Sequence, residues 1–320
     1  MKSILKKYGG TFGNYIIGIV MVLVISLFYR AFGSVSHITV LLSDLAILGF
    51  LAIGQTFPVL TGGIDMSVSY TMCSVAVVIN YCMNTYGLGL WPALGVGFLL
   101  AFFIGAVNGF GVAYLRVHPM IMTYGMNSIL MGLLLTWTGG TSGGNTSSVL
   151  YAFAKSKIGF FPVVTILFIL AVALLMFVLS RTSYGKQLYA VGNCRRAAFF
   201  SGVHVRRTIM IAYIISAVCV AVGGVIMSGR VGLSYLGMGD SYMFITLAVV
   251  AIGGVSMVGG SGNVVGTAGG AVIITILLSM LTVINVSTGM QQLLYGVVLL
   301  IAIVIEANGH IFKHKRSLQK

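Results

Sequence analysis

Residues 58–67 read Pro58-Val59-Leu60-Thr61-Gly62-Gly63-Ile64-Asp65-Met66-Ser67 and join two long apolar runs with almost no hydrophilic linker. Proline removes a helix hydrogen bond and the glycine pair permits unusual dihedrals, so a helix is expected to break here. Broken backbone at membrane depth is tolerated where protein buries it or where it lines a cavity. A carboxylate in that position costs about 2.5–3.5 kcal/mol on insertion scales, so Asp65 needs a partner or a purpose. Two compatible readings stand: a functional group at a helix junction, or a cap on the next helix through the Ser67 and Val68 amides.

The flanking runs make the bilayer the only solvent that fits. Hydrophobic residues form 58% of the 320 and charged residues 7%, against about 25% charged in a soluble domain. Runs of about 20 apolar residues cross a bilayer, and they occur at 12–29, 40–60, 66–84, 92–115, 119–138, 161–180, 209–228, 241–258, 264–284 and 289–306. The third and eighth are the doubtful ones, the eighth interrupted by Gly253-Gly254, which leaves eight or nine crossings with re-entrant segments as an alternative to ten. The whole chain, 1–320, reads as a single all-α integral membrane domain, a polytopic bundle of about ten helices. The start Met1-Lys2-Ser3-Ile4-Leu5-Lys6-Lys7 resembles a signal peptide, but no small-residue cleavage site follows, so a retained first helix is expected.

Lysine and arginine set the orientation. With the N-terminus inside, fourteen of the 18 fall on the inner side and four, Arg30, Lys155, Lys157 and Arg230, on the outer side. Both termini are then cytoplasmic, in the plasma membrane. The net charge of +14 does not signal nucleic acid, because the basic residues lie between apolar runs with no aromatic platform interleaved. The cysteines Cys73, Cys82, Cys194 and Cys219 show no CxxC pairing, and three of them lie in apolar runs as core filling. Gly262, Gly266 and Gly270, like Gly105 and Gly109, recur every four residues and mark close helix packing. A faint echo links Gly62-Gly63-Ile64-Asp65-Met66 with Gly253-Gly254-Val255-Ser256-Met257, and internal repeats of this kind are common in transporters.

The sequence carries no G-x-S-x-G elbow, H-E-x-x-H or Walker loop, so neither catalysis nor a cofactor is expected on this chain. The composition points instead to a pathway for a small polar solute. Candidate pathway residues are Gly62, Gly63, Asp65 and Ser67, with Gln55 and Asn108 as polar groups inside spans. Asn80, Asn127 and Asn285 are further in-span polar residues, for which interhelical hydrogen bonding is the ordinary explanation. Asp44, Asp240 and Glu306 fall near expected span ends.

Arg181 to Thr208 is the largest hydrophilic segment, and it lies on the inner side. Asn193 is a good N-cap and Gly202 a good C′ stop, so a short helix is expected over 194–201 with Ala197-Ala198 as a small contact face. A basic interfacial helix on anionic headgroups and a docking helix for a cytoplasmic partner are the two readings.

Three blocks together resemble the sugar-type ABC transporter permeases, the ribose, xylose and galactose importers. Gly62-Gly63-Ile64-Asp65-Met66-Ser67 resembles that family's GGIDLS signature. Leu188-Tyr189-Ala190-Val191-Gly192-Asn193, with Ala197-Ala198 and Ser201-Gly202-Val203, resembles its cytoplasmic coupling loop. Ala251-Ile252-Gly253-Gly254-Val255-Ser256, Gly259-Gly260-Ser261-Gly262 and Val265-Gly266-Thr267 form the third match. The likeness runs over roughly 40–306. It implies a type II importer-like fold, a second permease copy or paralogue, ABC ATPase subunits inside, an extracellular or periplasmic solute-binding protein, and a coupling role for Gly192, Asn193, Ala197, Ala198, Ser201 and Gly202. The chain departs from the family at Cys194-Arg195-Arg196, where an acidic residue commonly precedes the alanine pair. A branched-chain amino acid or nucleoside permease, or from another class a secondary transporter or channel, remains open at this point.

Overall fold

The structure, a computed structural model, describes residues 2–300 other than 142, 288, 295, 298 and 299. It is a bundle of helices: α1 (Lys2–Phe28), α2 (Val35–Leu60), α3 (Val68–Asn84), α4 (Leu90–Ala113), α5 (Pro119–Thr138), α6 (Ser148–Lys155), α7 (Val163–Arg181), α8 (Ser183–Asn193), α9 (Arg195–Phe200), α10 (Val205–Val231), α11 (Tyr242–Ile252) and α12 (Val264–Val283). A 3₁₀ turn, Arg30–Gly33, joins α1 to α2. Two two-residue antiparallel pairings complete it: β1 (Gly144–Asn145) with β4 (Leu233–Ser234), and β2 (Lys157–Ile158) with β3 (Phe161–Pro162).

Helices α2 and α10 are buried at the centre; α4, α5 and α7 turn most of their residues outward, as lipid-facing helices must. Six helices, α2, α4, α5, α7, α10 and α12, are long and apolar enough to cross a membrane among the described residues. The expected third span is a helix of 17 residues. The expected eighth, 241–258, ends as a helix at Ile252, because Gly253 and Gly254 follow and Gly254 is left-handed at φ 77°. Its 11 residues rise only about 16 Å, roughly half the hydrocarbon thickness. Half of the expected tenth span, 289–306, including Glu306, lies outside the described residues.

Two boundaries differ from expectation for local reasons. α2 starts at Val35 rather than near residue 40, because the Ser34 hydroxyl accepts the His37 amide at 3.2 Å and caps it. Asp44 is therefore more than two turns inside the helix, not at its end, and it pairs with Arg230 near the far end of α10. The helix also runs through Pro58 to Leu60: the Pro58 carbonyl accepts the Thr61 amide at 2.9 Å and the Gly63 amide at 3.0 Å. The break falls at Gly62, whose φ of 74° requires the residue without a Cβ.

The spacings Gly105/Gly109 and Gly266/Gly270 act as packing faces, whereas Gly262 lies in the loop before α12. A Cβ at Gly105 would lie 2.7 Å from the Ile214 Cα, and one at Gly109 2.8 Å from the Met210 Cα, so α4 and α10 touch backbone to backbone. Cys73, Cys82 and Cys219 are buried as free thiols, and Cys194 is exposed.

Candidate functional site

The segment 61–67 lies at the end of the bundle where α8 and α9 pack. Asp65 is only 2% exposed. One of its carboxylate oxygens accepts the Ser67 amide at 3.0 Å and the Ser67 hydroxyl at 2.6 Å, which places it as a cap at the start of α3. Its other oxygen accepts the Ser216 hydroxyl of α10 at 2.9 Å. Among the described residues no cation pairs with it.

The other expected residues gather around this carboxylate. The Asn108 side-chain amide donates to the Ser67 hydroxyl at 2.9 Å. The Gln55 amide, oriented by its surroundings, donates to the Asp65 carbonyl at 3.0 Å and accepts the Asp65 amide at 3.2 Å. Thr123 of α5 accepts the Met66 amide at 2.9 Å and donates to the Ile64 carbonyl at 3.2 Å. One turn further along α5, Asn127 accepts the Tyr70 amide at 3.2 Å. Gln55, Asp65, Ser67 and Asn108 therefore form one buried polar junction where α2, α3, α4 and α10 meet, with Gly62 and Gly63 at its edge.

Among the described residues, two polar atoms at this junction have no hydrogen-bond partner: Asn108 Oδ1 and the Tyr213 hydroxyl. Tyr213 is fully buried on α10, and a Cβ at Gly63 would lie 2.6 Å from its oxygen. An orphaned buried polar atom costs about 1–3 kcal/mol, so these two are the atoms free to meet a polar guest. Neither Tyr213 nor Ser216 stood out in the sequence. They lie three residues apart in an apolar run, and only the fold turns that spacing onto one face.

The second glycine break, 253–263, meets the first. The Gly260 amide donates to the Leu60 carbonyl at 2.9 Å, and a Cβ at Gly62 would lie 2.9 Å from the Val258 carbonyl oxygen. The hydrophilic segment clasps both. Tyr189 donates to the Gly262 carbonyl at 2.7 Å, Asn193 to the Gly260 carbonyl at 3.2 Å, and Arg195 to the Thr61 carbonyl at 3.2 Å. Gly192 packs directly on the Leu60 carbonyl and the Gly260 amide, leaving no room for a side chain.

That clasp corrects two expectations. Asn193 does not cap the short helix: it ends α8, which Thr182 starts by accepting the Gly185 amide at 3.3 Å, and Cys194 precedes α9. Ala197 and Ala198 do not form one outward face. Ala198 is 3% exposed and packs with Val112, Ile209 and Tyr213, whereas Ala197 is exposed. Phe199 and Phe200 project instead, 66% and 85% exposed. Gly202 does stop the helix, with φ 79° and the Val203 amide donating back to the Ala198 carbonyl at 3.0 Å. Ser201 sits between them as the last residue before the stop.

At the opposite end, Asn80 donates to the hydroxyls of Ser228 at 2.9 Å and Ser234 at 3.0 Å and accepts from Thr146 at 3.0 Å, an interhelical bonding role.

A many-helix membrane bundle with two broken segments held by one hydrophilic clasp defines a multi-pass membrane permease. The chain belongs to the family described as the branched-chain amino acid transport system permease component, whose model matches residues 37–303. It is 31% identical over 312 residues to the ribose import permease protein RbsC of Bacillus subtilis, covering 95% of this chain and 94% of that one. It is 30% identical over 304 residues to the D-allose transport system permease protein AlsC of Escherichia coli, covering 94% and 91%. It is 31% identical over 287 residues to the fructose import permease protein FrcC of Rhizobium meliloti, covering 86% and 79%. No solved structure matches the chain.

Proposed function

We propose that this chain, as one polytopic membrane domain, is the permease subunit of an ABC importer for a monosaccharide. Separate ATPase subunits bind at the α8–α9 end, which is cytoplasmic, as are both termini. A solute-binding protein delivers the sugar at the opposite end, and a second permease completes the pathway. The chain itself holds no nucleotide or other cofactor. The observation that carries this reading is the clasp: a surface segment bonded to both helix breaks can pass a partner's movement to the buried junction at Asp65. The sugars for which these relatives are named, ribose, D-allose and fructose, favour a monosaccharide over the amino acid in the family's description.

The junction supports a role beside the pathway, with Asp65, Ser67, Gln55 and Asn108 setting the helix-break geometry and Asn108 Oδ1 and the Tyr213 hydroxyl available to solute hydroxyls. The test is reconstitution in liposomes with the genomically neighbouring ATPase and binding protein. ATP-dependent uptake of labelled ribose or another monosaccharide, absent for leucine and absent without the ATPase, is expected. Uptake by this chain alone, driven by an ion gradient, would instead make it a secondary transporter.

A further inference from the structure

A groove of about 1140 Å³ opens beside α9, between the end of α4, the start of α5 and the start of α10. Five arginines line it, Arg116, Arg195, Arg196, Arg206 and Arg207, and no acidic residue does. The rest of the wall is largely apolar, including Val112, Val117, Val205 and Ile209, with Phe199 and Phe200 at its α9 edge.

The positive charge is not neutralised from within. The three aspartates among the described residues are engaged elsewhere: Asp44 with Arg230, Asp65 with Ser67 and Ser216, and Asp240 with the Ser69 hydroxyl at 3.2 Å. Two features work against folding unless something offsets them. Arg206 and Arg207 occupy the first turn of α10, where the helix dipole disfavours cations. Arg116 holds a left-handed backbone at φ 58°, which costs a residue with a Cβ stability. An anion in the groove would offset the charge at both places.

The groove's level decides what kind of anion. Three membrane helices end or begin at it, and outward-facing apolar side chains adjoin it on α5 and the α4–α5 link, Leu115 63% and Ile121 68% exposed. A ligand that touches both the arginines and this surface has a charged head and an apolar body. The geometry points to a site for an anionic phospholipid, with its phosphodiester headgroup held by Arg116, Arg206 and Arg207 and its acyl chains laid along α4 and α5. Basic recesses between membrane helices are suited to such headgroups.

The full chain purified in detergent is titrated with phosphatidylglycerol, phosphatidylcholine and inorganic phosphate, and bound lipid is read by native mass spectrometry. Wild type is expected to retain phosphatidylglycerol in preference to phosphatidylcholine. The double variant Arg206→Gln, Arg207→Gln is expected to bind it about 30-fold more weakly, and Arg206→Lys, Arg207→Lys within about 3-fold of wild type. Should the glutamine pair fail to fold, Arg116→Gln alone is expected to weaken binding by about 5-fold. Equal retention of the two lipids, unchanged affinity in the folded glutamine variants, or displacement by inorganic phosphate at matching concentration overturns the proposal. So does a glutamine pair that loses a co-purifying protein while keeping its phosphatidylglycerol affinity, since that assigns the groove to the protein.

Discussion

Asp65 accepts three hydrogen bonds in a buried site, all from hydroxyls or an amide and none from a cation. These bonds tie the start of α3 to α10, so the Asp65 side chain fixes how the two meet. Asp65→Asn keeps the shape, because the asparagine oxygen can still accept from Ser67 and its nitrogen can donate to the Ser216 hydroxyl. Normal insertion and yield with a clear fall in uptake by the intact complex is the expected outcome, measured as transport per inserted molecule. Wild-type uptake would reduce Asp65 to a helix cap. The importance of this residue was legible in the sequence, since a lone acid between apolar runs invites explanation. Its partner Ser216 was not, because a serine inside an apolar run is indistinguishable from its neighbours until the fold turns it inward. Tyr213 was illegible for the same reason.

At the scale of elements, the two glycine breaks and the clasp behave as one unit. Gly192→Ala ought to help an isolated helix by about 1 kcal/mol. Here the added methyl would strike the Leu60 carbonyl and the Gly260 amide, both backbone atoms that cannot rotate away. Overpacking of this kind costs about 1–3 kcal/mol, so the clash outweighs the propensity. The variant is expected to melt lower than wild type and to uncouple ATP hydrolysis from uptake. Gly125→Ala, in α5 with open space around it, serves as the control. An unchanged melting point and unchanged coupling for Gly192→Ala would mean that the clasp is not a tight joint. The sequence revealed the first break, at Pro58 and Gly62-Gly63, but carried the second only as an echo at Gly253-Gly254 inside an expected span over 241–258. It misassigned Asn193, because a polar residue that suits an N-cap also suits a helix end when a carbonyl, here Gly260, waits beside it.

The short helix α9 shows the same limit. Two adjacent alanines suggested a face for a partner, but successive helix positions are about 100° apart, and Ala198 faces the bundle while Ala197 does not. Ala198→Trp would therefore damage the permease itself and says nothing about docking. The exposed pair Phe199 and Phe200, stacked edge to face at 5.8 Å, is the better probe. Exposed aromatic anchors dominate many protein interfaces, at about 2 kcal/mol or more each. Phe199→Ala with Phe200→Ala is expected to leave thermal stability unchanged and to reduce ATPase co-purification by about 30-fold or more. Retention of the ATPase at wild-type stoichiometry would place the docking surface elsewhere.

For the whole molecule, the distribution of cations sets one end against the other. Arg116, Arg181, Lys186, Arg195, Arg196, Arg206 and Arg207 cluster around α8, α9 and the adjoining helix ends. Of the four at the far end, Arg230 is paired with the half-exposed Asp44, and Lys155 leans on the Tyr151 ring at 4.0 Å. Positive residues are retained on the cytoplasmic side during insertion, so the α8–α9 end is expected to face the cytoplasm. The protein carries its own reporter for this. Cys194 is exposed in the link between α8 and α9, while Cys73, Cys82 and Cys219 are buried. A membrane-impermeant maleimide should label the native chain in inside-out vesicles, and in right-side-out vesicles only after permeabilisation. Cys194→Ser should abolish the signal, which guards against slow reaction of a buried thiol. Bound ATPase should slow labelling in inside-out vesicles, because exposed Cys194 directly precedes α9, which carries the docking candidates Phe199 and Phe200. Rapid labelling of Cys194 in sealed right-side-out vesicles would invert the topology and remove the clasp from the reach of any cytoplasmic ATPase.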